Sequence, residues 1–346
     1  MTASAAISDL LLEWYDRAAR TFPWRVPPGS EDRLDPYQVW LSEVMLQQTT
    51  TAAVIPYFRK FIAAWPTVGA LASAPEEEVL AAWAGLGYYS RARNLVKAAR
   101  AVQDRGGFPD TETGLRALPG VGEYIAAAVA AIAFGRSAVV VDANVERVVA
   151  RLFAIAEPLP KARAAIRERT GAITPEDRPG DFAQAMMDLG ATICTPRDPK
   201  CLLCPLNRNC QGLLAGDPAA LPVKAARKAR RHVNGTAFWI ERDGQVWLVR
   251  RANQGMLGGM RALPDDGWSA SADGNDQPPL RGAWKAVGMV EHGFTHCALA
   301  LSVAIYAGDD WDSLGEDGEW WPIAEIEQAG LPTLYAKVAQ RVQGLR

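Results

Sequence analysis

Cys194-Thr-Pro-Arg-Asp-Pro-Lys-Cys201-Leu-Leu-Cys204-Pro-Leu-Asn-Arg-Asn-Cys210 places four of the chain's five cysteines within one short stretch, spaced C-x6-C-x2-C-x5-C. A secreted disulfide framework spreads its cysteines along the chain, so this crowding reads as a metal site. Four thiolates so spaced can wrap one centre without a second segment, which suits an iron–sulfur cluster. Zinc is the alternative, but structural zinc sites more often pair two tight knuckles, and the nearest histidine downstream is His232. The stretch also divides the chain. Before it, from Ile7 to about Gln211, Ala and Leu recur at three- and four-residue spacing between Pro and Gly, which predicts an all-α domain. After it, Leu213 to Arg231 is rich in Ala and Pro and ends in a basic run that includes Arg227 and Lys228, as a solvated linker would. Beyond lie short β-branched and aromatic runs at Thr236–Ile240, Val246–Arg250 and Leu299–Tyr306, separated by Gly and Asp turns.

The expected organisation is therefore a helical domain over residues 1–213, a linker over 214–233 and an α+β domain over 234–346. A length of 346 residues suits two cores. Hydrophobic content of 49% with 22% charged residues is that of a soluble globular protein, and no apolar run approaches a membrane span. Asp9 and Glu13 interrupt the N-terminus where a signal peptide would be apolar, so the expected location is the cytoplasm. The net charge of −2 is uneven: 9 Lys and Arg face 15 Asp and Glu from His232 onward, leaving 28 against 24 before it. A modestly basic first part permits a polyanionic partner without requiring one.

Leu118-Pro119-Gly120-Val121-Gly122 lies between two helical segments. Its glycines would let the backbone approach a phosphate, and amides at the start of the next helix would supply donors; a plain turn is the bland alternative. Some twenty residues on, Val139-Val140-Val141-Asp142-Ala143-Asn144-Val145 sets one acid and one amide in an apolar run. A buried carboxylate is costly unless it is paired or has work to do, and an N-cap is the alternative role. Residues 1–231 contain no histidine, so proton transfer in the helical domain falls to a carboxylate. Glu43, in Trp40-Leu41-Ser42-Glu43-Val44-Met45-Leu46-Gln47-Gln48-Thr49, interrupts an apolar helical face and is the candidate.

Together these motifs resemble the MutY-type adenine DNA glycosylases of the endonuclease III-like, helix-hairpin-helix superfamily. The resemblance covers nearly the whole chain, strongest from Phe22 to Cys210 and weakest from Asp265 to Arg281. It implies a 4Fe-4S cluster on Cys194, Cys201, Cys204 and Cys210, and a DNA grip at Gly120, Val121 and Gly122. Glu43 becomes the acid that protonates adenine N7, with a raised pKa in a desolvated pocket. Asp142 becomes the ionised carboxylate that stabilises the sugar cation, with Tyr124 and Asn144 positioning these groups and water. Ala143 replaces the family's usual Gly. Tyr124 stands where bifunctional relatives carry a Schiff-base lysine, so the implied enzyme excises the base and stops. Trp24, Arg25 and Asp188 are carried over to the base pocket, and Gln48 and Tyr88, in Gly85-Leu86-Gly87-Tyr88, to the wedge that fills the gap left by a flipped base. Arg91 and Arg93 would lie near phosphates.

The C-terminal part resembles a Nudix-like lesion-recognition domain, through Gly255-Met-Leu-Gly-Gly-Met260 and His292-Gly-Phe294-Thr295-His296, without an acidic Nudix box. It implies binding to the 8-oxoguanine strand by Phe294, Thr295 and His296, with Thr49 and Leu86 as further lesion contacts. Thr295 replaces the family's usual Ser. The implied partner is double-stranded DNA carrying 8-oxoguanine:adenine mispairs, and the expected state is a monomer.

Overall fold

A computed structural model describes residues 3–30, 32, 35–225, 230–252, 255–294, 296–311, 313–315 and 317–345. Thr295, and Arg227 and Lys228 of the expected linker, lie outside the described residues. The chain forms two compact units: residues 1–73 with 94–227, and residues 74–93 with 228–346.

The first unit is helical. In chain order come α1 (Ala3–Ala18), α2 (Pro36–Leu46), α3 (Thr51–Ala64) and α4 (Val68–Ser73); α5 (Glu76–Trp83) then belongs to the second unit. The chain returns along α6 (Ser90–Asp104) and continues through α7 (Glu112–Arg116), α8 (Glu123–Ile132), α9 (Ala143–Leu152), α10 (Arg163–Ile173), α11 (Pro179–Thr192) and the short α12 (Gln211–Leu214). Helix α8 is the centre of this arrangement because its sequence is apolar on every side: Ile125 to Ala131 are all buried. A helix without a polar face has nowhere to go but inside, and its alanines let neighbouring helices close on it. Leu11 and Tyr15 of α1, Val149 of α9, Ile166 of α10, and Phe182 and Leu189 of α11 fill the adjoining core, joined by Leu206 of the cysteine loop.

The second unit adds the sheets. Strand β1 (Arg231–Trp239) runs parallel to β6 (Cys297–Tyr306), which pairs antiparallel with β5 (Trp284–Gly293). A second sheet sets β3 (Gln245–Arg250) between β7 (Gly318–Pro322) and the short β2 (Glu241–Arg242) and β4 (Arg261–Ala262). Helix α13 (Thr333–Gln343) closes the core with Leu334, Tyr335, Val338 and Val342 against Trp239, Leu248, Trp268 and Leu301. The predicted apolar runs fall in β1, β3 and β6, so the expected helical-then-α+β architecture is the one observed. Among the described residues no helix is long and apolar enough to cross a membrane.

Candidate active site

Helix α2 starts sharply: Pro36 fits its first turn, and the Asp35 carboxylate accepts the Tyr37 amide at 2.7 Å. From there Val39 to Met45 are buried, so the helix carries Glu43 into the interior with 5% of its surface exposed. Tyr124, the second residue of α8, meets it there: its hydroxyl donates to Glu43 Oε2 at 2.6 Å and lies 3.5 Å from Met187 Sδ. Burial pushes the Glu43 carboxyl up from 4.5 to about 7, the nearby Asp142 charge adding to it, while the Tyr124 hydrogen bond and the Arg25 charge pull the other way. Burial, with the charges of Glu43 and Asp142, raises the Tyr124 phenol well above its usual range, so its hydroxyl stays a donor.

Asp142 caps α9, accepting the Val145 amide at 2.7 Å and Asn144 Nδ2 at 2.7 Å. Burial pushes its carboxyl above the ordinary range, against the pull of these hydrogen bonds. The N-cap hydrogen bonds fix the carboxylate at the cavity wall. Asn144 Oδ1 accepts Arg147 Nη2 at 2.9 Å, and Arg147 continues to Gly190 O at 2.6 Å and Cys194 O at 2.7 Å. Gly190 of α11 is required here, since a Cβ would come within 2.6 Å of the Asn144 Cβ and 3.1 Å of its backbone oxygen. Ala143 begins α9 and is not among the residues with positive φ, which accounts for the tolerance of a side chain there.

Trp24, Arg25, Glu43, Gln48, Thr49, Tyr124, Asp142 and Asn144 line one cavity of about 880 Å³, together with Arg20, Phe22, Gln184 and Met187. Asp188 stands behind that lining. Fully buried, it accepts the Arg20 amide at 3.0 Å and Arg20 Nε at 2.7 Å, and holds Arg25 Nη1 at 2.8 Å. Burial disfavours the Arg25 charge, but Asp188 more than compensates and raises its pKa. Phe22 stacks on Trp24 at 5.1 Å between ring centres, and both arginines lie over its ring. Arg20 and Met187 carry no motif of their own; only the fold brings them to Asp188 and Tyr124.

Gly120 has φ +72°, and a Cβ there would sit 2.5 Å from the Asn94 Cβ. Val121 is buried, and Gly122 caps α8 without a side chain, leaving the first-turn amides to external acceptors. Gln48 has φ +56°, a left-handed conformation that costs a non-glycine residue about 1–2 kcal/mol.

In the second unit, Leu86 is buried and Tyr88 is 46% exposed on a backbone of φ +50°. Arg91 and Arg93 depart from the phosphate-facing expectation: Arg91 turns inward to the Leu86 and Gly87 carbonyls, and Arg93 donates to Gly258 O. Phe294 stacks on Trp268 at 5.9 Å and meets His292 edge-on at 4.5 Å, while His296 is exposed.

Cys194, Cys201, Cys204 and Cys210 line a common cavity of about 30 Å³ walled by Ile193, Pro199, Leu213 and Pro218. The buried Arg151 donates to Cys194 Sγ at 3.3 Å and to the carbonyls of Thr195, Pro196 and Leu221 at 2.7, 3.1 and 3.0 Å. Among the described residues, no three His, Cys, Asp or Glu side chains are arranged to hold a metal ion.

Residues 41–172 match the model of the HhH-GPD superfamily base excision DNA repair proteins, and residues 236–341 match the NUDIX domain. The human adenine DNA glycosylase is 36% identical over 96% of this chain and 73% of its own length. The chain belongs to the adenine DNA glycosylase family. Among solved structures this family member is similar to a thermostable thymine-DNA glycosylase, at a TM-score of 0.55 and 31% identity over 61% of this chain and 97% of that one. It is also similar to endonuclease III in a non-covalent DNA complex, at a TM-score of 0.50 and 25% identity over the same shares. Its architecture is thus a helix-hairpin-helix domain of endonuclease III-like fold followed by a NUDIX-like domain.

Proposed function

We propose that this chain is a monofunctional adenine DNA glycosylase that hydrolyses the N-glycosidic bond of adenine mispaired with 8-oxoguanine, or with guanine, in double-stranded DNA. The observation that carries the reading is the buried Glu43 carboxyl, poised near neutrality and held by Tyr124 at 2.6 Å, on the wall of a cavity that also presents Asp142. A cavity of about 880 Å³ has room for an extruded nucleotide.

Adenine leaves poorly as an anion. Neutral Glu43 donates its proton to adenine N7 as the C1′–N9 bond breaks, the bonding electrons departing with the base. Asp142 then faces the oxocarbenium-like sugar and stabilises its charge, and water adds at C1′, returning a proton to a carboxylate. Tyr124 presents a phenol where an amine would be needed for a Schiff base, so the abasic strand stays intact. Arg25, braced by Asp188, and Trp24 bound the base pocket.

Residues 1–213 carry the chemistry, 214–233 connect, and 234–346 read the lesion, with Phe294, His296 and Thr295 as its expected contacts. Gly120, Val121 and Gly122 hold a phosphate without reading sequence. Gln48 and Tyr88 fill the vacated base position, with Thr49 and Leu86 toward the 8-oxoguanine. Cys194, Cys201, Cys204 and Cys210 would hold a 4Fe-4S cluster; all four line one apolar-walled cavity and Arg151 donates to Cys194 Sγ, a donor set suited to that group although the four thiols are not drawn together around one point. When bound, the cluster supplies four iron–thiolate bonds that tie the 194–210 loop together. The protein acts as a cytoplasmic monomer.

A single-turnover assay on duplex DNA carrying adenine opposite 8-oxoguanine, read with and without alkali, tests this reading. Strand breaks are expected only after alkali, and are lost in Glu43→Gln. Breaks without alkali would mean a lyase, and no loss of adenine would sink the assignment.

A further inference from the structure

The turn between α5 and α6 is organised around one side chain. Arg91, the second residue of α6, points back into the turn that precedes it: Nη2 donates to the carbonyls of Leu86 and Gly87, both at 3.2 Å. Gly87 O also accepts Trp83 Nε1 at 3.0 Å, and the Arg91 amide donates to Tyr88 O at 2.8 Å. The guanidinium lies between two rings, 5.2 Å from the centre of Trp83 and 5.4 Å from that of Tyr88. Burial pulls its pKa down to about 10, so it remains charged near neutrality.

Tyr88 itself is in an unfavourable state. It is a large aromatic, 46% exposed, on a left-handed backbone of φ +50° directly after Gly87, which like Gly85 also has positive φ. Such a conformation persists only where its surroundings over-determine it. Arg91 supplies such surroundings: it grips the carbonyls before Tyr88 and lies against its ring.

We infer that Arg91 is a positioning residue that holds Tyr88 out for insertion into the DNA base stack, and that it makes no phosphate contact of its own. The inference rests on the proposed wedge role of Tyr88. It makes Arg91 sensitive to geometry rather than to charge. A lysine keeps the charge but has no planar face to lie between two rings while bonding two carbonyls. A phosphate-contacting arginine behaves oppositely: lysine partly replaces it, and a neutral residue lowers the salt dependence of DNA binding by about one phosphate.

The experiment compares wild type, Tyr88→Ala, Arg91→Lys, Arg91→Met and the Tyr88→Ala/Arg91→Lys double variant on the adenine:8-oxoguanine duplex. Single-turnover excision and duplex affinity over a salt series are measured, with circular dichroism to verify folding. Tyr88→Ala and Arg91→Lys are each expected to slow excision about tenfold, the scale of one lost base stack, and the double variant to be no slower than either. The salt slope of Arg91→Met should parallel wild type. Effects that multiply in the double variant, full rescue by lysine, or a slope reduced by about one in Arg91→Met would overturn the assignment. A Tyr88→Ala variant that excises at the wild-type rate would remove the wedge reading itself.

Discussion

Glu43→Gln is expected to stabilise the protein, and increasingly so as the pH rises. In the folded chain burial raises the Glu43 carboxyl from 4.5 to about 7, so the folded state holds this proton more tightly than the unfolded one. The stabilising share is fully present below the unfolded value and is lost as pH rises through the folded one. A displacement of that size corresponds to about 3 kcal/mol, at about 1.4 kcal/mol for each pH unit. Glutamine never ionises, so the variant escapes the loss: near wild type at about pH 4, below the unfolded value, it should be more stable by about 3 kcal/mol at about pH 8. Groups remote from the site titrate alike in both proteins, so the difference reports Glu43 together with its coupled neighbour Asp142. Urea unfolding followed by far-ultraviolet circular dichroism at a series of pH values measures it. A gap that stays flat across that range would refute the claim that burial holds the carboxyl near neutrality. The same substitution is expected to abolish excision, so on the proposed function the site trades stability for chemistry.

Tyr124→Phe removes a hydrogen bond that favours ionised Glu43. Such a bond is worth about 1.5–3 kcal/mol, so the alkaline limb of the single-turnover pH profile should move up by about one to two pH units; an unmoved limb would exclude the contact. Asp188→Ala leaves Arg25 buried without its counter-ion and should cost about 3–5 kcal/mol in denaturant unfolding, whereas a loss typical of a surface pair would show that Arg25 relaxes to solvent. Arg151→Met strips donors from Cys194 Sγ and three carbonyls and should lower the iron content of the purified protein; full iron with unchanged stability would count against its role.

Much of the site is legible in sequence because each carboxylate is conspicuous. Glu43 breaks an apolar helix and Asp142 an apolar run, and both line the cavity. The supporting groups are not legible, because their partners are remote: Arg20 bonds Asp188 across 168 positions, and Arg151 reaches Cys194 across 43. Arg91 and Arg93 illustrate the converse. Basic side chains in a DNA-binding segment suggest phosphates, but both are engaged by backbone carbonyls that a pattern of charges does not reveal. In the second unit, β1, β3 and β6 announce themselves by apolar runs, whereas β5 is mostly exposed and broken by a register shift between Ala286 and Met289. Its strand periodicity is lost where the sheet is solvated.

Arg147 joins Asn144, the partner of Asp142, to Gly190 O and Cys194 O. Mechanically it is a tie-rod: one rigid planar group spans the gap between the amide that braces the Asp142 carboxylate and the first cysteine of the loop. The two ends therefore share a single alignment: the group that sets the Asn144 amide beside Asp142 is the one anchored on the first carbonyl of the cysteine loop.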